Sequence, residues 1–180
     1  PGVYSNSAVM WSFETSQPAY GRVTFGAFGN NGTTGVTLDA VSDGMPEGAS
    51  NDPVNYLIGT IDMSNYDTSA ASFYVLSFYH NSHGDDPHPT DSVWIRGSNT
   101  DPWIGVYDLF ANQVNGTFVH AQNIDLKNIL KAANQNFSST FQLRFGQYGN
   151  DAAISLIKEE GRTIDDILIR EINCLKPVAF

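Results

Sequence analysis

The stretch Thr140 to Tyr148 (TFQLRFGQY) constrains the fold more than any other part of the chain. Phe141, Leu143 and Phe145 share one face of an extended segment, and Gln142 and Arg144 share the other, because side chains alternate across a strand. The same kind of run recurs along the sequence: Met10–Thr15, Gly21–Phe28, Gly35–Val41, Tyr56–Met63, Ser72–His80, Asp91–Arg96, Trp103–Leu109, Thr117–Ile124 and Thr163–Ile172. Between them lie Asn/Gly/Asp/Pro-rich stretches such as 30–34, 42–53, 81–90 and 97–102. Short alternating strands with turn punctuation predict an antiparallel all-β sandwich or barrel, since parallel strands covered on both faces would be continuously apolar. One segment departs from period two. In Asp125–Ala133, Leu126, Ile129 and Leu130 fall at helical spacing behind an Asp at the N-cap position, which predicts one short helix. No repeat or long linker divides the chain, so a single domain is expected over 1–180, with its core at about 8–172.

Composition narrows the function. The net charge is −10, which disfavours nucleic acid and anionic membrane surfaces, both of which attract clustered positive charge. No apolar run approaches the ~20 residues of a membrane helix. Cys174 is the single cysteine, so no internal disulfide holds the fold. The 14 Asp and 16 Asn against 5 Glu favour loops and turns, and also supply the hard oxygens that calcium takes. Few lysines and a lone cysteine fit a secreted bacterial protein, and the Pro1-Gly2 start reads as an excised module.

Catalytic signatures are missing. The chain has no phosphate-binding glycine loop, no G-x-S-x-G elbow, no H-E-x-x-H and no paired carboxylates of the glycosidase type. The segment 79–89 carries three of the four histidines. His80, His83 and His88, with Asp85 or Asp86, form a candidate second metal set; the competing reading is a packed His80 followed by a solvated loop. Trp94 and Arg96 lie opposite Val93 and Ile95, and Tyr79 and Arg144 obey the same parity logic. These four are the candidate ligand-binding residues, because a flat aromatic with polar neighbours grips a sugar ring or an extended peptide.

Glu14 in the first aromatic strand, and Asp165 and Asp166 in the last aliphatic one, are costly there unless paired or metal-bound. With Asp39 they form a candidate cage for a hard cation. Arg22 or Arg162 is the alternative partner. The order Trp11-x-Phe13-Glu14, Gly21-Arg22, Gly35-x-x-Leu38-Asp39, Leu76-Ser77-Phe78-x-His80 and Ile164-Asp165-Asp166-Ile167 resembles bacterial secreted jelly-roll modules. These are similar in layout to MAM domains, reelin subrepeats and jelly-roll carbohydrate-binding modules. The resemblance runs from about Trp11 to Ile169. It implies a jelly-roll β-sandwich and a structural Ca2+ held by Glu14 and by Asp165 or Asp166. The chain departs from the pattern at Ile154–Ile157, where a Gly-rich turn is expected, and in the His-rich loop.

The expected function is a non-catalytic extracellular binding module, monomeric, secreted or surface-borne within a larger protein. It would recognise a glycan or cell-surface ligand in adhesion. The alternatives are a metal-dependent hydrolase built on His80, His83 and His88, and a purely architectural spacer.

Overall fold

The computed structural model describes residues 5–6, 9–18, 21–26, 29–40, 54–66, 72–83, 89–148 and 161–173. Eleven strands and one helix follow in chain order: β1 (Ser5–Asn6), β2 (Val9–Thr15), β3 (Gly21–Gly26), β4 (Gly35–Ala40), β5 (Val54–Ile61), β6 (Ser72–His83), β7 (Ser92–Arg96), β8 (Ile104–Asp108), β9 (Val119–Asp125), α1 (Leu126–Ala132), β10 (Phe141–Tyr148) and β11 (Gly161–Asn173). Every strand expected from alternation is present, with ends displaced by a few residues. The helix is capped as its sequence predicts, the Asp125 carboxylate accepting from the Asn128 N–H at 3.1 Å.

The strands form two antiparallel sheets. Six strands run in the order β1-β2-β5-β10-β7-β8, and five in the order β3-β4-β11-β6-β9. The chain crosses repeatedly between them, and the two last strands insert between early ones, β10 between β5 and β7 and β11 between β4 and β6. This is the winding of a jelly-roll sandwich. Leu57, Val93, Ile95, Phe141, Leu143 and Phe145 from the first sheet meet Leu38, Leu76, Phe78 and Ile164 from the second. Phe78 packs edge-on against Phe145 at 5.1 Å and Tyr107 at 5.5 Å. Burial of each such side chain stabilises by about 1.5–3 kcal/mol.

Register fixes what stands on the outside of the six-stranded sheet. One row across it reads Glu14, Tyr56, Gly146, Ser92. The next reads Ser12, Ile58, Arg144, Trp94, Gly105, and the third Met10, Thr60, Gln142, Arg96. On the other sheet, Thr37, Asp39, Tyr79, His83, Thr163 and Asp165 share the outer parity, opposite to Leu38, Phe78 and Ile164.

Candidate functional site: an arginine and aromatic cluster on the six-stranded sheet

Arg144 stands in the middle of β10, and its guanidinium lies against three rings: Tyr56 at 4.4 Å, Trp94 at 4.4 Å and Trp103 at 4.2 Å from the ring centroids. Arg96 lies 4.2 Å from Trp103. Tyr56 and Trp94 meet edge to face at 6.1 Å. Each cation–π contact contributes roughly 0.5–2 kcal/mol. Trp94, Arg96, Arg144, Tyr56 and Trp103 are all partly exposed.

The two arginines differ in what their N–H groups do. Arg96 donates from Nε to Gln142 Oε1 at 2.7 Å and from a terminal nitrogen to the Asp101 carbonyl at 3.4 Å. Gln142 in turn donates to Thr60 Oγ1 at 2.9 Å, so this row is tied across three strands. Arg144 has no hydrogen-bond partner among the described residues, and its Nε is shielded from solvent. Burial pushes both guanidiniums down from the ordinary arginine value, and the Glu14 carboxylate works against that shift in each. No ion pair forms between Glu14 and either of them.

Gly146 explains how the rings come so close to the sheet. A Cβ there would lie 2.6 Å from Trp94 Cζ3 and 2.9 Å from Tyr56 Cε1. Only a bare Cα admits both rings. Beside them opens a cleft of about 280 Å³, lined by Val54, Tyr56, Thr90, Trp94, Gly146 and Tyr148 among others. That is at the lower end of the roughly 300–1,000 Å³ usual for ligand sites. A second cavity of about 340 Å³ lies between the sheets, lined mainly by apolar groups including Trp11, Met63, Tyr66, Tyr74 and Ile167. Asp62, Glu171 and the tyrosines give it polar groups as well, but among the described residues no cationic side chain lines it.

Three of the four expected ligand-binding residues, Trp94, Arg96 and Arg144, therefore come together. Tyr79 does not. It lies on β6 in the other sheet, stacked on His120 at 4.3 Å with the rings 6° from parallel. Parity says which side of its own sheet a residue takes, not which sheet its strand joins. Tyr56 and Trp103 escaped the sequence reading; the glycine inside the alternating β10 run was the available signal for Tyr56.

The metal sets fare differently. Glu14 is exposed on β2 of the six-stranded sheet, whereas Asp39 and Asp165 belong to β4 and β11 of the five-stranded one, so the cage expected across the first and last strands is not formed. Asp39 pairs with Arg22, the alternative partner. Asp165 Oδ2 accepts from the Asn30 N–H at 2.7 Å and Thr33 Oγ1 at 2.6 Å, and its Oδ1 accepts from the Asp166 N–H at 2.8 Å. Asp166 is exposed at a bulge, in the left-handed region at φ 49°. Hydrogen bonds to Asp165 and one arginine on Asp39 thus offset part of the cost of these two buried carboxylates.

His80 and His83 also part company, three positions apart on one strand and hence on opposite faces. His80 is fully buried against Phe78 and Tyr107, its Nε2 3.3 Å from the Tyr107 hydroxyl, and burial pushes its imidazole down to about 4. His83 Nε2 lies 2.6 Å from Thr163 Oγ1 on the outer face. They cannot ligate one ion. Asp85, Asp86 and His88 lie outside the described residues, as do Cys174 and Ile154–Ile157. Among the described residues no three His, Cys, Asp or Glu converge on a metal position.

No protein-family model and no curated protein matches the sequence. Solved structures do. The chain is similar to the cleaved adhesin domain of Lys-gingipain from Porphyromonas gingivalis, with 15% identity, 89% of each chain covered and a TM-score of 0.49. It is also similar to a family 22 xylan-binding domain from Paenibacillus barcinonensis, with 10% identity, 92% of this chain and 87% of that one covered, and a TM-score of 0.49. The C-terminal family 22 carbohydrate-binding module of Clostridium thermocellum Xyn10B gives 10% identity, 87% and 84% coverage, and a TM-score of 0.47. Among the described residues no helix is long and apolar enough to cross a membrane.

Proposed function

We propose that this chain is a non-catalytic extracellular binding module that takes a glycan on the outer face of its six-stranded sheet. It would work as a monomeric part of a larger secreted or surface-borne bacterial protein. The observation that carries the reading is Arg144, held by three aromatic rings beside a cleft, with no hydrogen bond to any described residue. A sheet that needed only solubility would not place two tryptophans and a tyrosine together on an outer face. Aromatic surface plus a few fixed polar donors is what a sugar requires, apolar ring faces on one side and hydroxyls on the other. His80 and His83 take opposite faces of β6, which weighs against a metal-dependent hydrolase that uses both.

A glycan array followed by titration calorimetry tests this. Trp94→Ala should weaken binding of any array hit by about 1–3 kcal/mol, a hot-spot magnitude, with a circular dichroism spectrum like that of the parent. An array without hits supports the spacer reading. Turnover of a polysaccharide or peptide that disappears in His83→Ala restores the hydrolase.

A further inference from the structure

We infer that the glycan taken by this face is acidic, a hexuronate whose carboxylate pairs with Arg144 while its ring lies in the cleft beside Tyr56 and Trp94. This rests on the binding function proposed above and goes further by naming the ligand's charge.

Of the five arginines, Arg170 is exposed on β11, and the other four are at least partly buried. Arg22 is paired with Asp39, and Arg162 with Asp91 at 2.7 Å. Arg96 is bonded to Gln142 and to a carbonyl. Arg144 alone among these four has neither a carboxylate nor a hydrogen bond among the described residues, in a protein with 19 carboxylate side chains and a net charge of −10. No described carboxylate pairs with this partly buried arginine, which leaves its fork open to a partner from outside.

The rings determine what that partner can be. Contacts at 4.2–4.4 Å to three aromatic rings hold the guanidinium in place, and with Nε shielded the terminal nitrogens are left for a ligand's hydrogen bonds. A planar fork of N–H donors matches the two oxygens of a carboxylate. Local charge does not set the preference: the Glu14 carboxylate acts on both arginines and Asp101 on Arg96, so two positive charges face two negative ones. What the ligand meets is the single fork of Arg144, which matches one carboxylate better than a doubly charged phosphate that the net charge of the protein would repel more strongly. The cleft of about 280 Å³ opens on the Gly146–Tyr148 side of Tyr56 and Trp94 and has room for a sugar ring; Arg144 is not part of its lining but touches the same two rings.

The test uses the protein as it stands and three trisaccharides in calorimetry: trigalacturonic acid, its fully methyl-esterified form, and neutral xylotriose. The ester keeps the rings and removes the charge, so no variant is needed for the first comparison. The acid is expected to bind at least tenfold more tightly than the ester. Arg144→Lys, which keeps the charge but loses the fork, should remove most of that tenfold preference, and Arg144→Gln should remove all of it. Thermal unfolding of each variant shows that it is folded. Equal affinity for acid and ester overturns the inference while leaving a neutral glycan site. Acid preference that survives Arg144→Gln overturns it as well. Failure of all three sugars, together with an array without hits, overturns both readings.

Discussion

His80 shows what a single buried side chain imposes on the whole protein. It is enclosed by apolar rings, with Arg162 near enough to disfavour a second positive charge, and its imidazole sits at about 4 against an ordinary 6.5. The unfolded chain therefore binds this proton at a higher pH than the folded one does. Stability from keeping His80 neutral is full above about pH 6.5 and is lost progressively as the pH falls towards 4. Between pH 7 and pH 5 the loss is about 2 kcal/mol. His83 shifts in the same direction, again chiefly through burial. Denaturant unfolding at pH 7 and pH 5 should show the fall, and His80→Gln should make it smaller by about that amount. Identical slopes for the two proteins would remove His80 as the cause. The packed state of this histidine was one of two readings open from sequence, where three histidines in eleven residues also suggested a metal. The alternation that made Ser72–His80 a strand already separates His80 from His83, once the strand is seen to continue to His83.

At the scale of elements, β10 was legible in nearly every respect. Its boundaries, its buried face and its outward Arg144 follow from period two alone. Its partners do not, because alternation carries no information about which strands lie beside it. The parity rule that puts Trp94 and Arg144 on one face therefore also groups Tyr79 with them, although its strand lies in the other sheet. The one residue that breaks the pattern is Gly146, and it lets Tyr56 and Trp94 settle onto the sheet. Gly146→Val should push both rings outward and close the cleft, removing glycan binding, at an overpacking cost of about 1–3 kcal/mol. Binding calorimetry beside thermal unfolding checks this. Unchanged affinity in a folded Gly146→Val protein would mean that the rings do not form the site.

The whole molecule raises the question of what joins two sheets without a disulfide among its core strands. From sequence, carboxylates inside apolar strands pointed to calcium, because an unpaired buried charge is costly. A buried ion pair meets part of that cost. Asp91, at the start of β7 on one sheet, accepts from Arg162 of β11 on the other at 2.7 Å, and both side chains are 1% exposed. The second Asp91 oxygen accepts from the Tyr148 N–H at the end of β10 at 2.7 Å. Arg162 also donates to Gln113 Oε1 at 2.8 Å and to the Leu109 carbonyl at 3.4 Å. One ion pair thus ties together β7, β10, β11 and the turn after β8. Sequence could not show it, since 71 residues separate the partners and nothing in either neighbourhood marks a charge as interior. Asp91→Ala leaves Arg162 charged and buried, and should cost about 3–5 kcal/mol in denaturant unfolding. Replacing both, Asp91→Leu with Arg162→Met, should recover part of that loss, because a filled apolar site carries no stranded charge. EDTA should leave the parent's transition where it was. If chelation lowers the transition by several degrees while Asp91→Ala costs less than about 1 kcal/mol, the cation holds the sheets and the ion pair does not.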